Sequence, residues 1–237
     1  FTRGVTPNGQ LRPPREEAPH LYKESPLGWI PKEWSTIPTS EKLAVVDPQP
    51  DHRTPPQVEE GYPYVGTGDI GPAGELDFER ARKVSAAAFE KQLYSFEIHP
   101  GAFIFGKIGT IGQPTSIPHE RFFAVSANVV LLTAKSVDDS NYGYWHYQSM
   151  LTAKQVTDAT NTTSQPALGI QRIRQFWLAW PSTQEERNAI SSRLEGVSEK
   201  LKGELLVREK LLHLKKGLMQ DLLTGRVRVN ASEPAST

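Results

Sequence analysis

The residues with the most chemical promise run from Gly101 to Ile108. Gly101-Ala102-Phe103-Ile104-Phe105-Gly106-Lys107-Ile108 has the glycine and lysine spacing of a loop that cradles phosphate. That chemistry needs a hydroxyl after the lysine to hold a metal ion, and position 108 is isoleucine. The four residues between the glycines are strand formers, which do not wrap a phosphate in backbone amides. These glycines are therefore expected to make tight turns in a β-rich lobe. Asp47-Pro48-Gln49-Pro50 is a second near-miss. A loop for methyl transfer to an amino group would add an aromatic there, and a glycine-rich turn after a strand, and neither is present. A metal-dependent nuclease would carry an aspartate followed by Glu-x-Lys to hold the ion and activate water; Glu-x-Lys occurs nowhere in the chain. His20, His52, His99, His119, His146 and His213 show no metal-ligand spacing and read as surface or packed histidines. The absence of cysteine removes thiolate metal sites and disulfides. The chain is expected to have no catalytic residues, no metal and no cofactor of its own.

What remains is recognition. Thr162-Thr163-Ser164-Gln165 and Gln171-Arg172-Ile173-Arg174 carry hydroxyl, amide and guanidinium groups on polar stretches. Glutamine can pair with adenine and arginine with guanine on the major-groove edge. Arg80, Arg82, Lys83 and Lys107 are candidate phosphate contacts, and Thr67 lies in a further glycine-rich loop. For any one of these side chains a solvated surface position is the simpler account. The charge balance presses the same way. Residues 26–181 hold 13 Lys+Arg against 16 Asp+Glu, and residues 182–237 hold 10 against 8. No segment has the positive excess of a protein that grips nucleic acid alone by neutralising phosphates.

These loops need a scaffold, and residues 26–181 read as one mixed α/β domain with many short strands. Residues 1–25, with Pro7, Pro13, Pro14 and Pro19, read as a linker. Trp29, Ile30 and Trp34 among prolines suggest an extended segment pinned to the domain. Residues 42–46 form a short turn or strand, and 47–60 a proline-rich loop. Strands are expected at 62–65, 102–105, 122–125, 128–133 and 176–180. The alternation of Tyr94, Phe96 and Ile98 predicts another. Ser85 caps a short helix through Gln92, residues 141–151 form a buried helix, 157–165 a polar loop, and Ile170 and Ile173 sit on a short helix.

A helix without proline follows, from Gln184 to Leu223. Forty residues give a rod of about 60 Å. Its apolar positions are Ile190, Leu194, Val197 and Leu201 at coiled-coil spacing, then Leu205, Leu211, Leu214, Leu218 and Leu222 after a phase slip. Ser182-Thr183-Gln184-Glu185 is a capping-box pattern, and Thr183 with Glu186 serves one residue later. Gly196, Gly203 and Gly217 each weaken an isolated helix by about 1 kcal/mol relative to alanine, so the rod is expected to depend on packing, either within its own domain or against another chain. The tail from 226 is short and polar. No apolar run reaches the ~18–20 residues of a membrane span, and no secretory signal is visible, which leads us to expect a cytoplasmic protein.

Several stretches together carry a family likeness. Leu27-Gly28-Trp29-Ile30-Pro31-Lys32-Glu33-Trp34, the glycine turns from 101 to 112, Gln165-Pro166-Ala167-Leu168-Gly169-Ile170, Trp180-Pro181 and Glu185-Glu186-Arg187-Asn188-Ala189-Ile190 are among them. The most specific is Lys216-Gly217-Leu218-Met219-Gln220-Asp221-Leu222-Leu223-Thr224-Gly225-Arg226-Val227. The chain resembles the specificity subunit of type I restriction–modification enzymes, in particular its C-terminal half. It departs from the pattern at Glu186-Arg187, where Glu-Gln is usual. Phe1-Thr2-Arg3-Gly4-Val5 echoes Leu223-Thr224-Gly225-Arg226-Val227, as expected if Phe1 follows the helix of a preceding repeat.

The resemblance implies a fold and a role. Residues 26–181 would be a target recognition domain reading one half of a split double-stranded DNA site. Residues 182–225 would be a spacer helix pairing antiparallel with another helix, in a homodimer of half-subunits. Methyltransferase subunits would dock against the helices and bring in restriction subunits. S-adenosylmethionine, ATP and magnesium would belong to those partners alone, and the partners would supply most of the phosphate neutralisation. A helix-mediated scaffold that never touches DNA is the competing reading, favoured by the acidic balance of residues 26–181.

Overall fold

Phe103 to Gly106 and Val129 to Thr133 are continuous apolar strands because both their faces are covered. In a computed structural model of the chain, which describes residues 2–50, 53–71, 74–160 and 167–227, they are the middle of a four-stranded antiparallel sheet. The elements in chain order are β1 (Tyr22–Ser25), β2 (Gly28–Pro31), β3 (Ser35–Pro38), β4 (Ala44–Val46), β5 (Tyr62–Val65), β6 (Lys83–Val84) and α1 (Ala86–Leu93). There follow β7 (Phe103–Gly106), β8 (Pro114–Ser116), β9 (Ala124–Val125), β10 (Val129–Thr133), α2 (Val137–Tyr147), α3 (Met150–Thr160), α4 (Ile170–Arg174), β11 (Trp177–Trp180) and α5 (Gln184–Leu223).

The central sheet runs β4-β10-β7-β8 and divides two apolar cores. Successive strand residues point to opposite faces, so Val130, Leu132, Phe103 and Phe105 enter one core, and Val129, Leu131 and Ile104 the other. The first core also takes Trp34, Tyr142, Tyr147, Ile173, Trp180 and Ile190. The second is closed by Val65, Ile98, Phe123 and Val125. A smaller sheet, β6-β5-β9, pairs β5 parallel to β9, and the β1-β2 hairpin and the long-range antiparallel pair β11-β3 complete the lobe. The result is the α+β class expected, with many short strands and one long final helix.

The chain divides into two units, Phe1–Leu194 and Glu195–Thr237. The first contains the stretch read as a linker. Its prolines leave only a one-turn 3-10 helix at Pro19–Leu21 and the strand β1, with no long helix, but they do not prevent packing: Val5 is 3% exposed and belongs to the first core. Tyr22 is buried and donates its hydroxyl to the Pro13 carbonyl at 2.6 Å. The second unit is the remainder of α5 and its end at Gly225, whose φ of 71° suits a glycine that terminates a helix. No described residue from 195 to 223 is buried.

Three expectations change. The alternation of Tyr94, Phe96 and Ile98 is not a strand. The helix started by Ser85, whose hydroxyl accepts the Ala88 N–H at 3.3 Å, turns its last carbonyls onto the amides that a ladder would need. Glu90 and Gln92 carbonyls accept from Tyr94, Ser95 and Phe96. The buried helix expected over 141–151 is two helices, broken where the Ser149 hydroxyl donates to the His146 carbonyl at 2.6 Å. The polar loop expected from 157 begins later, since residues 157–160 are the last turn of α3.

Candidate nucleic-acid interface

Four backbone segments meet at one end of β7 and β10. The first is the 3-10 turn Thr67–Asp69, fastened by the Asp69 carboxylate accepting the Gly66 N–H at 2.9 Å. The second is the glycine turn after β7, in which Gly109 and Gly112 have φ of 79° and 83°. The third is the link from β9 to β10, residues 126–128. The fourth is the chain from 167 into α4.

Asn128 joins three of them. Its carbonyl accepts the N–H groups of Lys107 at 2.9 Å and Ile108 at 3.1 Å. Its side-chain amide donates to the Thr67 hydroxyl at 2.9 Å. The fourth segment is tied in by Leu168 N–H donating to the Lys107 carbonyl at 2.8 Å and by the bridge between Ile108 and Ala167. Between them lies an open cleft of about 770 Å³ lined by Asp47, Thr54, Lys107, Ile108, residues 126–128 and residues 167–171.

The turn tolerates no side chain at Gly106. A Cβ there would lie 1.9 Å from the Thr110 carbonyl oxygen and 3.0 Å from the Thr67 methyl. A backbone carbonyl cannot swing away, so Gly106→Ala is expected to cost about 1–3 kcal/mol, the usual scale of overpacking. A Cβ added at Gly68, in the neighbouring turn, would meet nothing within 4 Å. Gly68→Ala is expected to stay within about 0.5 kcal/mol. Thermal melts of the two variants should separate clearly, and equal melting temperatures would contradict the packing described.

The structure brings together part of the residue set proposed from sequence. Lys107 and Gln171 line the cleft, and Thr67 is tied to its Asn128 without lining it; Arg172 is exposed on the same short helix as Gln171. Lys107 corrects an expectation. It is 5% exposed, with its ammonium 3.4 Å from the Asp47 carboxylate, so it neutralises a neighbour in place of a phosphate. Arg174 is half-buried and donates to the Val45 carbonyl at 3.1 Å. Arg80, Arg82 and Lys83 lie elsewhere. Arg82 donates to the Pro55 carbonyl at 2.6 Å and stacks on Tyr64, with its guanidinium carbon 4.7 Å from the ring centre. Lys83 is exposed on β6. Arg80 borders a separate hollow with Asp69, Glu75, Asp77 and Glu79, whose field repels phosphate. Thr162, Thr163, Ser164 and Gln165 lie outside the described residues. Among those described, no cluster of histidine and carboxylate side chains could hold a metal ion, and no helix is long and apolar enough to cross a membrane.

Asn128 and Ser126 were missed from sequence. Their signal, a Ser-x-Asn turn between two apolar runs, is a turn signal only; that it faces a cleft depends on the parallel pairing of β5 and β9.

On α5 the residues proposed for helix pairing fall into two groups. Ile190 is buried in the first core and Leu194 packs against it, so these two serve the lobe. Val197, Leu201, Leu211, Leu214, Leu218 and Leu222 are exposed, and Leu205 is half-exposed. At about 100° per residue the phase slip resolves into two bands, centred about 110° apart. One carries Val197, Leu201, Leu205, Leu212 and Met219; the other carries Val207, Leu211, Leu214, Leu218 and Leu222.

No family model matches the sequence, and no curated protein matches it. Solved structures do. A chain from a study of complex assembly and conformational transition in the type I R-M system superimposes with a TM-score of 0.53 at 13% identity, covering 87% of this chain and 50% of that one. The HsdS subunit of Thermoanaerobacter tengcongensis gives 0.48 at 16% identity, covering 86% of this chain and 52% of its own. The S subunit of a type I restriction–modification system from M. genitalium gives 0.48 at 14%, covering 76% and 45%. The chain thus spans about half the length of each. At such identities the first likeness is one of fold: the mixed lobe with its long final helix is an architecture found in a type I R-M assembly.

Proposed function

We propose that this chain is a DNA-specificity module of a type I restriction–modification system, without chemistry of its own. The cleft end of its lobe reads one half of a split double-stranded target. Its helix pairs antiparallel with that of a second copy and sets the distance between half-sites. The observation that carries this reading is the pair of apolar bands on α5, every member of which is exposed or half-exposed along residues 195–223. A helix with so wide an apolar surface is stable in water only against other helices. One band suits the second copy and the other suits helices of methyltransferase subunits. Those subunits would hold S-adenosylmethionine and recruit the restriction subunits that use ATP and magnesium. The setting for such an assembly is the cytoplasm.

The helix makes the first test. Leu214→Glu with Leu218→Glu removes two apolar side chains per copy, each worth about 1.5–3 kcal/mol when buried. The dimer dissociation constant, measured by sedimentation, is expected to rise at least about a hundredfold, with the melting of the lobe unchanged. A wild-type chain that stays monomeric at all concentrations would sink the pairing.

Selection from random-sequence duplex DNA tests the recognition role. Two identical lobes should enrich an inverted repeat with a fixed gap. The scaffold reading is favoured by the acidic hollow at Asp69, Glu75, Asp77 and Glu79 and by the pairing of Lys107. It wins if no sequence is enriched by the chain, alone or with the methyltransferase subunits present.

A further inference from the structure

Ile108 is the residue that disqualifies the glycine turn as a phosphate loop, and its surroundings suggest another use. It is 51% exposed, although its strand neighbours Phe103, Ile104 and Phe105 are fully buried. Its backbone is held from both sides, by the Asn128 carbonyl on its N–H and by the bridge to Ala167. The preceding residue is anchored as well, through the Asp47 ion pair and the Leu168 N–H. A rigid aliphatic side chain is thereby presented to the cleft.

The remaining lining narrows the chemistry of what it meets. Of the residues described along the cleft, Asp47 and Lys107 carry charge, and they pair with each other. The rest are uncharged: Thr54, Ser126, Asn128 and Gln171 are polar, and Ala127, Ala167, Leu168 and Ile170 are apolar. Such a surface does not attract a phosphate. It suits a base edge that offers both hydrogen-bonding atoms and an apolar group. In the major groove the thymine C5-methyl is that apolar group, and the paired adenine offers N7 and N6 to an amide such as Gln171. A minor-groove wedge would need cations beside it, and among the described lining residues the one cation, Lys107, is already paired.

We propose that Ile108 determines specificity by contacting the methyl group of a thymine in the half-site, an inference that rests on the DNA-recognition reading above. The test uses the full chain and the duplex it selects. Each thymidine of the selected half-site is replaced in turn by deoxyuridine, which removes only the methyl. At one position the substitution should weaken wild-type binding about fourfold, the worth of one buried methyl-sized group. Ile108→Ala should bind the thymine duplex about as weakly as the wild type binds the uracil duplex, and should no longer distinguish the two. The uracil arm needs no variant, so misfolding of Ile108→Ala cannot mask the result, and circular dichroism checks the fold. Enrichment of a sequence in which every uracil is tolerated overturns the role of Ile108 alone, as does a variant that keeps the discrimination. Failure to enrich any sequence overturns the DNA reading and this inference with it.

Discussion

Glu186→Ala is expected to lower the stability of the lobe by about 3–5 kcal/mol, the cost of stripping one partner from a buried ion pair. Glu186 lies in the first turn of α5 with 8% of its surface exposed. Its carboxylate accepts the Val5 N–H at 2.8 Å, the Trp34 indole N–H at 3.0 Å and two donors of Arg12. Arg12 is itself buried and also donates from Nε to Glu33 at 3.0 Å. One carboxylate thus binds the N-terminal segment, the β2–β3 region and the root of the long helix. Its removal leaves the Arg12 guanidinium half-paired and the Val5 and Trp34 donors without acceptors. For a chain of this size the melting temperature should fall by on the order of 10 °C. Urea unfolding followed by tryptophan fluorescence measures the loss directly. Arg12→Ala in the same background should add little, because the two residues form one network. Additive losses would show that the carboxylate and the guanidinium act separately.

Acid should unfold the lobe earlier than its carboxylates alone would dictate, because of His146. The ring is fully buried between α2, α3 and β11. Its Nε2 accepts the Ala179 N–H at 3.0 Å, which places the proton on Nδ1, facing the Thr152 hydroxyl at 3.2 Å. Burial pushes the folded pKa from 6.5 down to about 3. The unfolded chain therefore binds a proton between those values and the folded chain does not. Stability is complete above the unfolded pKa and falls as the pH drops through this window, by about 1.4 kcal/mol per pH unit and up to about 5 kcal/mol in all. His146→Gln removes the titrating group. Its stability is expected to be lower at pH 7 and to fall less steeply between pH 6 and 4. Parallel lines for the two proteins, from urea titrations at each pH, would mean that His146 is not held neutral.

Both predictions rest on residues whose importance was only half visible in the primary structure. Thr183 followed by Glu186 reads as a capping box, and Thr183 does cap α5, its hydroxyl accepting the Glu186 N–H at 3.3 Å. The glutamate side chain, expected to fold back locally, is drawn instead to Val5, Arg12 and Trp34. Those partners lie more than 150 residues away in sequence, and no local pattern reports them. Sequence left His146 as either a surface or a packed histidine; the structure buries it, and its neutrality comes from a strand and a helix that close over it.

Local physics sufficed wherever an element answers to its own periodicity or cap. The long helix, the Ser85-capped helix, the apolar strands at 103–106 and 129–133 and the glycine turn after Lys107 were all legible from residue type and spacing. So was the class of the fold. Tertiary structure alone decided which polar groups are free. It buried Lys107 against Asp47, put Arg82 onto Tyr64, and left Ile108 exposed beside Asn128 and Gln171. It also assigned Ile190 and Leu194 to the lobe and the later leucines to solvent. The reason is that a side chain's type states what it can bind, whereas its availability depends on which distant segments reach it first.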